Sequence, residues 1–267
     1  MNRILNKKYF FLIFLTAMTA SACKKVITVN LKDAAPQIVI EGNITNEARP
    51  YIVTIAKSVD FTQDNVYPPV TGATVTIKDD STGITDMLSE LPNGVYSSNA
   101  TKGDIGHTYH LTVIANGKTY TAASTMPAQV LLDSITFQTN AAFGNSVTNA
   151  LPNFQDPSGV YNAYQFVQSI NGKLSKQLYV FDDRLSDGRY ISRQLFNDSA
   201  YIQKGDTIQL EMQCLDKPVY SYFKELAGLD PTNGQPTSPA NPISNINNGA
   251  LGYFSAHTVQ IKKAVFK

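Results

Sequence analysis

Between residues 26 and 123 the chain returns repeatedly to one pattern, a short run of β-branched and aromatic residues followed by a turn. The runs are VITVNL (26–31), QIVIEGNI (37–44), YIVTIA (51–56), ATVTIK (73–78), GVYS (94–97), TYHLTVIA (108–115) and KTYTAA (118–123). Alternation with a period of two sends successive side chains to opposite faces, so each run can bury one face and wet the other. Seven such strands over about a hundred residues predict an immunoglobulin-like β-sandwich. Two turns point the same way. Asn116-Gly117 sits between Tyr109/Leu111/Val113 and Tyr120, and both turn residues tolerate the positive φ that a tight hairpin needs. Gly103-Asp-Ile-Gly106 runs into Thr108-Tyr109, as in a tyrosine corner where a Tyr hydroxyl bonds back to the preceding turn.

Met126-Pro127-Ala128 marks a boundary, because proline ends the last strand of the first unit. Residues 36–127 are therefore expected to form an immunoglobulin-like domain, and residues 128–267 a second β-rich, sandwich-like domain. The second unit carries strand patterns at 131–137, 164–170, 178–181, 190–191, 208–215 and 258–266, with an Asn171-Gly172 turn. One segment reads as helix: Lys217-Pro218 opens it, Val219, Tyr222, Phe223 and Leu226 repeat at helical spacing, and Gly228 closes it. A Pro/Asn/Gly-rich loop spans 229–249, long enough to suggest a functional segment. Tyr253 and Phe254, just after it, are candidate anchors for a partner; core packing is the alternative for both.

The first 22 residues have a different purpose. Arg3, Lys7 and Lys8 precede a run from Tyr9 to Ala22 that holds no charge. That run is too short to span a bilayer, and its form is that of a secretory signal peptide. The small residues Ala20-Ser-Ala22 are followed at once by Cys23, which resembles a bacterial lipobox. On that reading Cys23 receives a diacylglyceryl group, becomes the acylated amino terminus, and residues 23–35 act as lipid anchor and tether. A soluble exported protein with an incidental cysteine is the alternative. The whole chain of 267 residues has 22 Lys+Arg against 21 Asp+Glu. Without the signal the count is 19 against 21. Nothing in that balance recommends nucleic acid, which needs clustered basic residues. Two cysteines exclude a disulfide framework. Cys214 alternates with Ile208, Leu210 and Met212, which makes it a buried strand residue instead of a nucleophile.

Chemistry-bearing clusters are sparse. His107 and His110 fall on opposite faces of a strand and His257 stands alone, so surface or turn histidines are expected and no metal site. Asp182-Asp183-Arg-Leu-Ser-Asp187-Gly188 is acidic enough to be weighed as a calcium loop, but Leu185 falls where an oxygen ligand is needed. Asp182, Asp183 and Asp187 stay weak metal candidates, with an Asp-closed turn as the alternative. The same residues could supply a glycosidase pair, whose defining separation sequence cannot show. The nucleophile-elbow, H-E-x-x-H and P-loop patterns are missing. A non-enzymatic protein without a cofactor is expected.

A series of ordered landmarks, Val39-Ile-Glu-Gly-Asn-Ile-Thr-Asn46, Pro68 to Ile77, Gly94-Val-Tyr96, Tyr120 to Pro127, Phe154-Gln-Asp-Pro157, Val180 to Asp183 with Asp187-Gly188, and Ser244 to Phe254, resembles a Bacteroidota lipoprotein family catalogued as domain of unknown function 4249. The resemblance covers essentially all of the chain after the signal. It implies an outer-membrane lipoprotein, often encoded beside TonB-dependent transporters, with no catalytic residues to carry over. Lys24-Lys25 follow Cys23 where surface-exported lipoproteins of that phylum carry acidic residues, which leaves the membrane face open. Asp133-Ser134-Ile135, Asp198-Ser199-Ala200 and Asp206-Thr207-Ile208 resemble the Bacteroidota O-glycosylation acceptor, making Ser134, Ser199 and Thr207 candidate sites; turn closure is the alternative. The expected function is an accessory to a TonB-dependent transporter. A carbohydrate- or peptide-binding surface module or adhesin is the second reading, and a hydrolase using the Asp182–Asp187 carboxylates the third.

Overall fold

The computed structural model describes residues 35–60, 66–142, 145–196, 202–229 and 241–267. Cys23, the run at 26–31, Ser199 and most of the 229–249 loop lie outside them. Alternating sequence becomes strand throughout. The strands are β1 (Ile38–Thr45), β2 (Arg49–Lys57), β3 (Thr74–Asp79), β4 (Thr85–Met87), β5 (Ser89–Leu91), β6 (Val95–Thr101), β7 (Thr108–Ala115) and β8 (Lys118–Thr125). They continue with β9 (Ser134–Ala142), β10 (Asn145–Gln155), β11 (Ala163–Ile170), β12 (Lys173–Leu174), β13 (Tyr179–Asp182), β14 (Tyr190–Ser192), β15 (Thr207–Cys214) and β16 (Leu251–Val265). The one α-helix among the described residues, α1, spans Lys217–Gly228. No helix among the described residues is long and apolar enough to cross a membrane.

The fold is all-β, with two sandwiches sharing a strand. A four-stranded sheet (β4-β3-β7-β8) faces the β16-β1-β2-β6-β5 portion of a nine-stranded sheet, and a three-stranded sheet (β14-β10-β9) faces the β11-β15-β16 portion. The first core packs Ile40, Ile44, Val53 and Ile55 against Val75, Ile77, Leu111 and Val113. The second centres on Phe154, whose ring lies 4.8 Å from Tyr164 and 6.0 Å from Phe166. Burying each such side chain contributes about 1.5–3 kcal/mol, so the two cores supply the main driving force.

Local signals landed where their chemistry put them. Asn116 and Gly117 have φ of 51° and 73°, Asn171 and Gly172 of 50° and 80°, the left-handed pairs of tight hairpins. The tyrosine corner is present: the Asp104 N–H donates to the Tyr109 hydroxyl at 2.8 Å. Helix α1 begins with Asp216 as its cap, accepting from the Val219 N–H at 3.1 Å.

Two elements differ from expectation. β10 contains Pro152, which argues against a strand. The proline is tolerated because its backbone faces the short strand β14, where Arg193 N–H donates to the Pro152 carbonyl and few ladder bonds are lost. The last strand begins at Leu251 instead of Thr258. Its first half, Leu251–His257, pairs in parallel with β1, and its second half, Thr258–Val265, pairs antiparallel with β15. The parallel approach depends on Gly252 (φ +91°), where a Cβ would lie 2.1 Å from the Ile40 carbonyl oxygen. The first core runs up to Met126 but also takes in Ile246, Ala250, Phe254 and Ala256, so the expected boundary at 127–128 does not divide the packing; β16 runs through both sandwiches, and Pro36–Lys267 forms one compact unit.

Candidate functional site

Three carboxylates converge at one end of the second sandwich. Asp156 follows β10, while Asp183 and Asp187 lie on the turn after β13, and one ligand atom from each falls within 4.8 Å of the others. Asp183 and Asp187 were expected to be neighbours. Asp182 does not join them. Strand alternation turns it away, and its carboxylate pairs with the Arg184 guanidinium at 2.6 Å. Asp156 takes its place, a residue that sequence could have flagged only through the Phe154-Gln-Asp156-Pro157 landmark.

Each carboxylate holds the loops together. Asp156 accepts the Tyr164 hydroxyl on one oxygen and the Gly188 N–H, at 2.9 Å, on the other. Asp183 accepts the Asn162 N–H at 2.8 Å, and Asp187 accepts the Gly159 N–H at 2.8 Å. Together they staple residues 156–162 to residues 183–189. Burial, then the charges of Asp156 and Asp187, push the Asp183 carboxyl above its ordinary range. Burial first, and the Asp156 carboxylate second, keep the Tyr164 phenol protonated well beyond the usual range. Asp156 and Asp183 are only 1% and 3% exposed, so the cluster behaves as a buried polar staple, and no sugar ring can reach those two groups.

A Ser–His pair also exists. Ser255 Oγ lies 2.9 Å from His257 Nδ1 on β16, but both residues are buried in the strand that joins the sandwiches. His257 is thus an interior residue and not the surface or turn histidine expected; the core supplied by β1 and β15 encloses it. His107 and His110 do sit near the surface, each beside a carboxylate, Asp79 at 2.8 Å and Asp80 at 2.6 Å. Cys214 is buried as expected, its thiol pushed up by desolvation.

The partner-contact residues separate. Phe254 is fully buried in the first core, a correction to its reading as an anchor: strand alternation on β16 points it inward. Tyr253 packs between Tyr222 and Phe223 of α1, with ring centroids 5.2 and 4.7 Å away. Its neighbourhood is the helix–sheet seam. The described end of the long loop is structural as well. Asn247 exchanges hydrogen bonds with Thr121, and Asn248 donates to the Thr119 carbonyl at 2.6 Å. This asparagine run covers the outer edge of β8. Of the glycosylation candidates, Ser134 is exposed at the start of β9 and Thr207 is exposed at the start of β15. Asp206 beside Thr207 closes a turn by accepting the Gln203 N–H at 2.8 Å.

Solvent-facing chemistry is found on α1. A cleft of about 420 Å³ is lined by Tyr161, Arg184, Lys217, Tyr220 and Lys224 among others. The Lys217 ammonium lies 6.0 Å from the Tyr161 ring centroid, and Lys224 lies 5.7 Å from that of Tyr220. Arg184 is neutralised by Asp182, and Glu225 accepts the Ile243 N–H. The two lysine ammoniums face solvent over aromatic rings, a combination suited to an anionic ligand with a flat or sugar-like face.

A family model described as domain of unknown function (DUF4249) matches residues 24–263. The chain belongs to that family. The DUF4249 match takes in both sandwiches, the acidic staple, α1 and nearly all of β16. No curated protein matches the chain.

Proposed function

We propose that this DUF4249 protein is a non-enzymatic, lipid-anchored accessory protein of the outer membrane that works with a TonB-dependent transporter in uptake or envelope assembly. One observation carries the reading: an export signal ends in Ala20-Ser-Ala22-Cys23, and the family match begins at the next residue, 24. A diacylglyceryl group with a further acyl chain anchors stably where one chain would not. The tandem sandwich that follows is one compact unit, suited to presenting a surface at the membrane. The resemblance to lipoproteins encoded beside transporters supports the choice of partner.

The test is affinity purification of the tagged protein from detergent-solubilised membranes after crosslinking. Recovery of a transporter is expected; its repeated absence overturns the partnership. Cys23→Ser should move the protein out of the membrane fraction, and retention there would reject the anchor.

The α1 cleft favours a second reading, a carbohydrate- or peptide-binding surface module. It predicts that acidic glycans raise the melting temperature by mass action, and that Tyr161→Ala with Lys217→Ala abolishes the rise. A panel that produces no shift removes this reading.

A further inference from the structure

Sheet edges carry unpaired N–H and C=O groups, and proteins protect them by keeping them short, charged or covered. The edges β4, β5, β12, β13 and β14 have two to four residues each, and β8 is covered by Asn245–Asn248. β9 is different. It has nine residues, Ser-Ile-Thr-Phe-Gln-Thr-Asn-Ala-Ala, with no charge and no proline, and it pairs with β10 without a register break from Ala142 to Ser134.

The orientation of its free groups follows from its neighbours. The carbonyls of Ala150 and Pro152 accept the N–H groups of Leu195 and Arg193, so these β10 residues face β14. By antiparallel alternation Asn149 and Leu151 face β9, and their partners Gln138 and Thr136 turn their backbone groups inward to β10. Ile135, Phe137, Thr139 and Ala141 therefore present N–H and C=O outward. Among the described residues no turn, loop or side chain bonds those groups. Ile135 and Phe137 are also only partly buried against the second core, Phe137 lying 5.1 Å from the Phe266 ring. They belong to the narrowest sheet among the described residues, three strands wide.

We infer that β9 is the docking edge for a second copy of this chain, β9 against β9, antiparallel about a two-fold axis. Pairing centred on Gln138 sets Phe137 opposite Thr139 and Ile135 opposite Ala141, all four with outward backbone groups, so the free donors and acceptors satisfy one another. On the other face Gln138 meets its own copy and Thr136 meets Asn140, with no like-charge repulsion. An edge with no charge offers a partner of opposite charge nothing to select, and it lacks the lysines that ordinarily block self-pairing. The self-contact completes the narrow sheet and covers Ile135 and Phe137. It stands whether or not the chain is lipid-anchored.

The experiment uses the full chain in cells. Gln138→Cys under mild oxidation should give a disulfide-linked band at twice the protein's mass, while wild type and Ile114→Cys, exposed on β7 of the first sandwich, stay monomeric. Adding Thr139→Pro, which deletes an outward N–H and spares the β10 ladder, should cut the linked fraction at least tenfold. Purified Gln138→Lys and Gln138→Glu should each weaken self-association at least tenfold at unchanged melting temperature, and an equal mixture should restore it. Failure of Gln138→Cys to link, equal linking of Ile114→Cys, a mixture that stays monomeric, or a linked band of a different polypeptide overturns the proposal. The last outcome would assign the edge to a foreign extended segment.

Discussion

Ser124 on β8 donates its hydroxyl to Asp216 at 2.7 Å, although 92 positions separate them. Ser124 Oγ also accepts the Ala256 N–H of β16 at 2.8 Å, and Asp216 accepts the Thr125 N–H at 3.1 Å while capping α1. One carboxylate and one hydroxyl thus bind the first sandwich, the shared strand and the helix. Burial pushes the Asp216 carboxyl above its ordinary range, so its hydrogen bonds are what keep it in place. Asp216→Ala strands two backbone N–H groups and a hydroxyl, and should cost about 2–4 kcal/mol in urea unfolding. A loss below about 1 kcal/mol would show that the knot contributes little.

His257 makes stability depend on pH. Burial, with the Arg49 charge second, draws its pKa from 6.5 down to about 4. The unfolded chain binds the proton near pH 6.5 and the folded chain does not until about pH 4, so His257 favours folding above that window and the advantage is lost as pH falls through it. The loss amounts to about 3 kcal/mol at about 1.4 kcal/mol per pKa unit. Comparing wild type with His257→Gln between pH 7.5 and 4 should show the variant lacking that slope. Parallel curves would mean that His257 titrates normally.

Gly252→Ala should be among the most damaging single changes. The added methyl would collide with the Ile40 carbonyl at a backbone angle that L-residues avoid, and the parallel β1–β16 pairing would have to open. A cost of about 3 kcal/mol or more is expected, seen as a lower urea midpoint.

The acidic staple is testable through its least exposed member. Tyr164→Phe removes the hydroxyl that Asp156 accepts and should destabilise by about 1.5–3 kcal/mol, the range for a bond to a charged group. Hydrogen exchange at Gly188 and Asn162 should rise together, because both N–H groups end on the same cluster. Independent exchange at the two sites would deny that they form one unit.

Asn247→Ala should act locally. The Thr121 N–H loses its acceptor at 2.7 Å, so β8 amides on the covered edge should exchange faster while β7 amides, paired on both sides, stay protected. Global stability should fall by only about 0.5–1.5 kcal/mol.

The class of the fold, most strand positions, both Asn-Gly hairpins, the tyrosine corner and the capped helix were legible in the sequence because each depends on neighbours in the chain. Period-two alternation, φ > 0 at Asn116-Gly117, and the Asp216-Lys-Pro218 start of α1 are local properties. The acidic cluster was half legible: Asp183 and Asp187 share a turn, whereas Asp156 reaches them only because the end of β10 pairs with β14, just past that turn. Tertiary structure alone decided the rest. It set Phe254 inside and left Tyr253 under α1, buried His257, turned the asparagine run into a cover for β8, and left β9 uncovered among the described residues. It also made two alternating strand sets into one unit, by running β16 parallel to β1 and then antiparallel to β15. The β1–β16 pairing joins residues more than 200 positions apart, and the information that chooses it lies in the shape of the assembled sheets, not in any stretch of sequence.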